Sequence, residues 1–289
     1  MEQRGMNERI RKLRALSVNT PPHIDMERAK IMTETYRREE GVLSVPQLRA
    51  QALKDYFSQK TLYLGEGELI VGEKGDSPQG APTFPELCCH SVEDMRLMNE
   101  RELIRFQVTP EDMALQEKVM IPFWKERCIR SRIFRQMTPE WKKAYECGIF
   151  TEFMEQRGPG HTVGSSKIYE KGLLDYQWDI QEAIDRLDFF QDPHALERKE
   201  ELEGMYTACE ALMILAARYS EYARELAEQE SDTQRRRELL QIAANCEVVP
   251  AHRPQTYWQA LQMYWFVHLA VTSELNPWDS YSPGRLDQH

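Results

Sequence analysis

The sequence predicts a mainly α-helical fold. Apolar residues recur at three- and four-residue steps along the longest segments, which is the pattern of helices that bury one face, and a single short segment has the composition of a strand. The 289 residues are 41% hydrophobic and 29% charged, an ordinary composition for a globular chain. We therefore expect helices that pack on one another around a buried core.

The first half of the chain contains most of the shorter predicted elements. The Arg-rich start, 1–18, is interpreted as a helix of the mature chain. Further helices are predicted at 31–36, 48–56, 94–104 and 110–137. Pro122 should kink the last of them, because proline cannot donate a hydrogen bond to the preceding turn. The one predicted strand is 68–72, where Ile70 and Val71 are β-branched.

The second half begins with the clearest amphipathic pattern. Apolar residues repeat from 205 to 226 with charged residues between them, which predicts a helix that packs on one face only. Ser231 or Asp232 should cap a second helix that runs to 244, because either side chain can accept from the backbone of a first turn.

A third long helix is predicted at 257–272. Thr256 and Gln259 before and within its first turn have the spacing of a capping box. Aromatic and aliphatic side chains cover nearly its whole circumference, so the helix should be buried. His268 lies within it and is expected to be a core histidine bonded to a neighbour.

Charge and cysteine usage narrow the class of function. Lys and Arg total 37 against 47 Asp and Glu, and the net charge of -10 argues against a nucleic-acid or anionic-membrane surface. Six cysteines without regular spacing, and no signal peptide, indicate a reducing, cytoplasmic location. The longest apolar stretch, 260–272, is shorter than the ~20 residues of a membrane span. A small-molecule partner is the expectation.

Two loop motifs are better explained by structure than by chemistry. The Gly-rich run from Gly72 to Asp76 has neither the spacing of a P-loop nor that of a dinucleotide fingerprint, so we interpret it as a structural loop. Cys88, Cys89 and His90 are adjacent, and adjacent residues rarely aim at one metal ion. Burial is favoured there, and no metal site is predicted.

Two loop residues are candidates for a site. His161 follows the run Gly158 to Gly160, whose tight turn would present the imidazole at a loop tip, and a site role is favoured. Asp279 comes directly after the third helix and the residues Asn276 to Trp278. A simple turn or cap aspartate explains Asp279 equally well.

Several long strings resemble the glycyl radical enzymes of the pyruvate formate-lyase superfamily. They read GELIVG at 67–72, MTPEW at 137–141, FTEFMEQRGPGHT at 150–162, VPAHRP at 249–254 and SPGRLDQH at 282–289. The resemblance covers nearly the whole chain. Within the superfamily, the string at 150–162, GEKGDSP at 72–78 and QMYWFVH at 262–268 are most similar to the hydroxyproline dehydratase subgroup.

The resemblance implies a fold larger than this chain. It implies a ten-stranded α/β barrel, of which 1–289 would be the amino-terminal portion of the pyruvate formate-lyase-type domain, without the carboxy-terminal glycine radical domain. The radical glycine and the cysteine that receives the radical would both lie beyond His289, so the isolated chain should be inactive. It should also expose apolar surface around Trp258, Leu261, Trp265 and Leu269. The full-length protein could form a homodimer.

The resemblance also implies a reaction and a set of site residues. The subgroup eliminates water from trans-4-hydroxy-L-proline to give 1-pyrroline-5-carboxylate, after a separate radical-SAM activase with an iron-sulfur cluster has installed the glycyl radical. The family's substrate contacts map onto Phe153, His161 and Asp279. Phe153 would pack on the ring, His161 would assist departure of the hydroxyl as an acid, and Asp279 would bind the ring ammonium or the hydroxyl.

Two alternatives stay open. A formate C-acetyltransferase, or another glycyl radical lyase or dehydratase, would use the same fold with other pocket residues. A non-catalytic helical binding protein is the alternative from a different class. The sequence that follows His289 in the gene would discriminate among the three.

Overall fold

The computed structural model describes residues 7–150 and 166–274. The helices, in chain order, are α1 Glu8–Asn19, α2 Glu27–Glu39, α3 Val45–Gln59, α4 Val92–Glu100, α5 Pro110–Leu115, α6 Ile121–Trp124, α7 Ile129–Gln136, α8 Pro139–Glu146, α9 Lys167–Glu170, α10 Leu173–Asp185, α11 Ala195–Gln229, α12 Thr233–Val248 and α13 Tyr257–Glu274. The strands are β1 His23–Asp25 and β2 Gly80–Pro82. This part of the chain is mainly helical, as predicted.

The largest core lies along α11, which packs against α3, α10 and α12. Its buried stripe includes Leu212, Leu215 and Tyr219, in the register that the sequence predicts. The helix is longer than predicted, since it begins at Ala195 rather than near 205. With 35 residues it is about 52 Å long, and it is the longest of the described helices.

A second core surrounds Trp124 beside β1 and α2. Met95 and Met120 are fully buried there, and the ring of Tyr36 lies 5.0 Å from that of Trp124 in an edge-to-face arrangement. The indole Nε1 of Trp124 donates to Thr33 Oγ1 at 2.7 Å. This hydrogen bond satisfies the polar atom of the ring inside an apolar cluster.

The predicted helices of the first half need two corrections. The helix predicted at 110–137 is interrupted: a π-helical turn, Gln116–Met120, comes just before Pro122, and the chain leaves the helix between α6 and α7. The structure thus has a π-helical turn directly before Pro122, where the sequence predicts a kink. The helix predicted at 94–104 ends at Glu100, and Ile104 has a φ of 53°, outside the helical region.

The caps of the two last helices follow the sequence closely. Asp232 caps α12, and its carboxylate accepts from Arg235 N at 2.6 Å. At α13, Thr256 Oγ1 accepts from Gln259 N at 3.2 Å as predicted. The side chain of Gln259 accepts from Gln255 N at 2.8 Å, and this is one residue earlier than a capping box requires.

The strand predicted at 68–72 is not a strand. Its backbone groups are bonded by side chains of α13: Trp258 Nε1 donates to Leu69 O at 2.7 Å, and Trp265 Nε1 donates to Gly72 O at 2.6 Å. Between them, Gln262 bonds both polar groups of Val71, each at 2.9 Å. The segment is apolar because it packs on a helix, and helix side chains replace the partner strand.

Less of the apolar surface of α13 is exposed than the sequence predicts. Leu269 is buried with 2% of its surface exposed, so the expectation of an exposed Leu269 is wrong. It packs close to Gly72, where a β-carbon would lie 2.4 Å from Leu269 Cδ1. Trp258, Leu261 and Trp265 are half-buried. His268 is also half-buried rather than enclosed in a core, and it stacks on Trp265 at 5.1 Å.

Strands β1 and β2 pair in parallel, with His23 opposite Gly80 and Asp25 opposite Pro82. This pair joins the loop before α2 to the loop that precedes α4. Over 7–150 and 166–274, no helix has both the length and the apolar character that a membrane span requires.

Candidate functional site

The three residues predicted for the site, Phe153, His161 and Asp279, lie outside the described residues. The structure therefore neither brings them together nor separates them. It does describe the carboxyl end of α13 at Glu274, from which the segment carrying Asp279 continues. The surroundings of that helix end are the part of the candidate site that the structure describes.

Arg28 holds this helix end, and its side chain is completely buried. Its Nε donates to Ser273 O and its Nη2 to Glu274 O, both at 2.6 Å. The last carbonyls of a helix have no partner within the helix and lie at the negative end of its dipole, so a guanidinium is well suited to bind them. Arg28 thus acts as a side-chain cap for α13.

The same guanidinium also binds the loop that precedes α4. Its Nη1 donates to Thr83 O at 3.2 Å, and its Nη2 pairs with the buried carboxylate of Glu86. The ring of Phe84 lies 3.9 Å from the guanidinium carbon, in cation–π contact. One side chain of α2 therefore ties the end of α13 to the loop that follows β2.

A second arginine binds the last described residue of α13. Arg49 of α3 makes a two-pronged pair with the carboxylate of Glu274, at 2.6 Å from Nε and 2.5 Å from Nη2. Burial disfavours the charged form of Arg49, but the hydrogen bonds and charge of Glu274 outweigh it and raise the pKa of Arg49. We call Arg28, Arg49, Glu86 and the end of α13 at 273–274 the helix-end junction.

Positive charge extends from the junction toward the middle of α13. Lys74 lies 5.7 Å from the Phe84 ring that Arg28 also contacts. Burial, together with the charge of Arg28, lowers the pKa of Lys74 to about 8. Burial and the charge of Lys74 in turn lower the pKa of His268. This side of α13 therefore favours neutral over protonated imidazole.

A second buried cation lies at the base of the same loop. Lys60 at the end of α3 is 2% exposed, and its Nζ donates to Glu73 O at 2.5 Å and to Gly75 O at 3.2 Å. Burial lowers the pKa of Lys60 to about 8. Burial likewise raises the pKa of Asp25 to about 6, and Asp25 accepts from Asp76 N at 3.0 Å. We call these groups the loop base.

These contacts explain the Gly-rich run from Gly72 to Asp76. Its carbonyls accept from Lys60, Trp265 and Tyr56, the last through a 3.0 Å bond to Lys74 O. The structural interpretation of this loop is confirmed. Burial of Cys88, at 6% exposed, is confirmed as well. Cys89 is half-buried, and burial raises the pKa of its thiol to about 12.

Arg28, Arg49, Lys60 and Glu86 were not singled out from the sequence. One signal for Arg28 was present: it lies three and four residues before Ile31 and Met32, on the face that α2 buries. A charged residue within an apolar stripe indicates a buried ion pair or a buried cap. Arg49 and Lys60 carry a similar signal, because Arg49 lies three and four residues before Ala52 and Leu53, and Lys60 lies three and four residues after Phe57 and Tyr56. Glu86 has no such signal, because it lies in a turn.

Comparison with known proteins identifies relatives over the whole chain. A family model described as pyruvate formate lyase-like matches residues 6–289. A trans-4-hydroxy-L-proline dehydratase from Clostridioides difficile is 54% identical over 286 residues, which are 99% of this chain and 36% of that protein. The probable dehydratase YbiW from Escherichia coli is 30% identical over 273 residues, 93% of this chain and 33% of that protein.

Solved structures agree with these matches. A crystal structure of hydroxyproline dehydratase from Clostridioides difficile, with trans-4-hydroxy-L-proline bound, superposes with a TM-score of 0.93 over 99% of this chain and 36% of that one. The B12-independent glycerol dehydratase from Clostridium butyricum superposes with a TM-score of 0.90 at 27% identity, over 99% of this chain and 37% of that one. The chain thus spans about a third of the length of these relatives.

Proposed function

The chain belongs to the pyruvate formate lyase-like family, and on this premise we propose that it is the amino-terminal part of a glycyl radical dehydratase. The proposed reaction removes water from trans-4-hydroxy-L-proline and gives 1-pyrroline-5-carboxylate. One observation carries the choice of substrate. Identity is 54% to the hydroxyproline dehydratase, whereas it is 30% to the probable dehydratase YbiW, 28% to an isethionate sulfite-lyase and 27% to a (2S)-3-sulfopropanediol dehydratase.

The proposed fold is the ten-stranded barrel of the glycyl radical enzymes. In this proposal the described helices are part of the layer that surrounds the barrel, and 1–289 is the amino-terminal portion of the catalytic domain. The half-buried face of α13, with Trp258 and Leu261, would then lie against barrel strands supplied by the rest of the protein. The high superposition scores over 99% of the chain support this placement.

The radical chemistry would be supplied by residues of the full-length protein outside this chain. A glycine there would store the radical, after a separate radical-SAM activase with an iron-sulfur cluster has installed it, and a cysteine would pass it to the substrate as a thiyl. The enzyme would work in the cytoplasm, and a homodimer is compatible with the proposal.

The residues of this chain would bind the substrate and donate a proton to the leaving hydroxyl. Once hydrogen has been removed from the carbon beside the ring nitrogen, the neighbouring hydroxyl must leave as water, and His161 would donate the proton. Asp279 would bind the ring ammonium or the hydroxyl through a charge-assisted hydrogen bond. Phe153 would pack on the pyrrolidine ring.

The substrate proposal is tested with the full-length enzyme and its activase under anaerobic conditions. Glycyl radical formation is first verified by electron paramagnetic resonance. Product is then measured with trans-4-hydroxy-L-proline, glycerol, propane-1,2-diol and isethionate as separate substrates. Formation of 1-pyrroline-5-carboxylate as the preferred reaction is expected. Preferred turnover of any other compound by the activated enzyme would overturn the proposal.

The role of His161 is tested by comparison with His268, the histidine that stacks on Trp265. A positioned general acid contributes about 10²- to 10⁴-fold in rate, so His161→Ala should lower kcat by at least about 10²-fold while the melting temperature stays close to that of the wild type. His268→Ala should instead lower the melting temperature more than it lowers kcat. Full turnover of His161→Ala would assign the proton to another group.

A further inference from the structure

We propose that two copies of the full-length protein dock through two surfaces of this chain that differ in charge. One surface, formed by α10 and the start of α11 over 171–205, is called the acidic surface. The other, formed around α7 and α8 over 125–146, is called the basic surface. In the proposed dimer, the acidic surface of each subunit contacts the basic surface of the other. The inference does not depend on the substrate of the enzyme.

The acidic surface exposes large apolar side chains. Phe190 is fully exposed, and Trp178 and Met205 are each about half exposed. Gln177 Nε2 donates to Tyr206 O at 3.3 Å, so the neighbouring residues Trp178 and Met205 belong to stretches of α10 and α11 that face each other. Apolar side chains that are grouped on a surface and bordered by charges are typical of a protein–protein contact. The acidic surface is therefore expected to be covered in the assembled protein.

One side of α10 combines apolar and acidic groups. It carries four exposed residues at intervals of three and four positions, Leu174, Trp178, Glu182 and Asp185. Over 171–205 there are ten Asp and Glu and four Lys and Arg, so the net charge is -6, compared with -10 for the whole chain. A partner for this surface must therefore supply positive charge together with apolar contacts.

The basic surface has the complementary character. Over 125–146 there are seven Lys and Arg and three Glu, so the net charge is +4. Trp141 on α8 is 58% exposed, and Ile129 on α7 is also exposed. Arg132 and Lys142 are exposed and form no ion pair within the described part of the chain. Their charges are thus available to a partner.

A second copy is the partner whose complementary surface this chain itself contains. Two acidic surfaces would repel each other, so a contact of α10 with α10 is disfavoured. When the acidic surface of each subunit meets the basic surface of the other, a twofold axis relates two equal contacts. Each subunit then uses both of its surfaces, and the assembly closes at two copies.

Charge reversal in the full-length protein tests this pairing. One variant carries Glu182→Lys and Asp185→Lys on the acidic surface, and a second carries Arg132→Glu and Lys142→Glu on the basic surface. All four side chains are exposed, so each subunit should still fold, and the melting temperature verifies this. The dissociation constant of the dimer is measured by sedimentation velocity without activase or substrate, so a wrong substrate assignment does not change the outcome.

The control variant carries Glu225→Lys and Glu228→Lys. These two carboxylates are exposed and three positions apart, like Glu182 and Asp185, and they lie near the end of α11, whereas the acidic surface contains its start. The control therefore has the same total charge as the acidic-surface variant. Its dissociation constant should stay within about 3-fold of that of the wild type.

Each surface variant alone should have a dissociation constant at least about 10²-fold higher than the wild type, because like charges then face each other in both contacts. An equimolar mixture of the two variants should pair with nearly the affinity of the wild type, since each reversed surface meets a reversed complement. A mixture of the control variant with the basic-surface variant keeps one repulsive contact, so it should not restore pairing.

Three results would overturn the proposal. A monomeric full-length wild type would show that the rest of the chain covers the acidic surface. A dimer that neither surface variant weakens would place the interface elsewhere. Failure of the two surface variants to pair when mixed, or equal pairing in the control mixture, would show that the charges act only through the total charge of the protein.

The apolar part of the contact is tested with Phe190→Ser. Leu103→Ser is the control, because Leu103 is also exposed, at 79%, and lies in the loop that follows α4. Removal of a ring that is buried only in the dimer should raise the dissociation constant at least about 10-fold. Leu103→Ser should change it by less than about 3-fold. Equal effects of the two substitutions would contradict the place of Phe190 in the contact.

Discussion

Arg28 at the helix-end junction and Lys60 at the loop base are both cations removed from solvent, at 0% and 2% exposure. Both donate to backbone carbonyls, but only Arg28 also pairs with a carboxylate, that of Glu86, by a described hydrogen bond. The hydrogen bonds of the Lys60 ammonium lie within a single loop. Those of Arg28 join the end of α13 to the loop that follows β2.

The comparison shows how the shape of a cation limits what it can connect. A guanidinium carries five donors in a rigid plane, so it can serve several chain segments at once, whereas an ammonium is a compact point charge. Their responses to pH also differ. Burial lowers the pKa of Lys60 to about 8, so the charge of Lys60 depends on conditions within the range of common buffers.

The largest effect is expected for Arg28→Met. This change leaves the Glu86 carboxylate buried without its cation and two helix carbonyls without a donor, which should lower the free energy of unfolding by about 3 to 5 kcal/mol. Chemical unfolding of the full-length protein measures it. The double variant Arg28→Met with Glu86→Gln should recover part of the loss, because no buried charge remains. A double variant less stable than the single one would show that charge does not set the cost.

A pH-dependent effect is expected at Lys60. Its pKa is about 8 in the folded state and 10.5 in the unfolded state, so the folded state releases its proton first as pH rises. The free energy of unfolding should therefore increase between pH 8 and 10.5, by at most about 3 kcal/mol from this group. Lys60→Met should flatten the increase.

Lys74 titrates in the same window, because its pKa is also lowered to about 8. Lys74→Met is therefore measured beside Lys60→Met, and only the slope that disappears with each variant is assigned to that lysine. A slope that persists unchanged in Lys60→Met would place the titration elsewhere.

A smaller effect is expected where the buried contact carries no charge. Gln262→Leu removes both partners of Val71, and two unsatisfied backbone groups should cost about 2 kcal/mol of unfolding free energy. Gln181→Leu is the control, since Gln181 and its hydrogen-bond partner Asp185 in the same helix are both exposed. It should change stability by less than about 0.5 kcal/mol. If Gln262→Leu lowered the unfolding free energy as much as Arg28→Met, charge would not explain the difference expected between the two variants.

The helices could be predicted because their signals are local. The stripe of α11, the Asp232 cap of α12 and the apolar circumference of α13 each lie within one segment of sequence. The same local information failed at 68–72. A β-branched, apolar segment has the same composition whether its backbone bonds a strand or the side chains of a distant helix. Gln262, which bonds Val71, lies 191 positions later.

A site role for His161 was predicted from its loop, that of Asp279 was left open by the sequence pattern, and that of Phe153 came from the resemblance alone. Phe153, His161 and Asp279 stay predictions, since they lie outside the described residues. The ion pairs of Arg49 and Glu86 could not be found from periodicity, because a pattern within one segment does not identify a partner elsewhere in the chain. Their partners are separated from them by 225 and 58 positions, and such pairs follow only from the fold.

The contacts between α13 and the segment 69–72 also constrain how this region can change over evolution. Trp258, Gln262 and Trp265 bind main-chain atoms, so the side chains of Leu69 and Ile70 are open to exchange for others of similar size. The lengths of the two segments, in contrast, are constrained. Seven helical residues rise about 10.5 Å and three extended residues about 10 Å, so the two segments have nearly the same length. Selection should therefore remove insertions and deletions within 69–72, whereas substitutions of Leu69 and Ile70 should be tolerated.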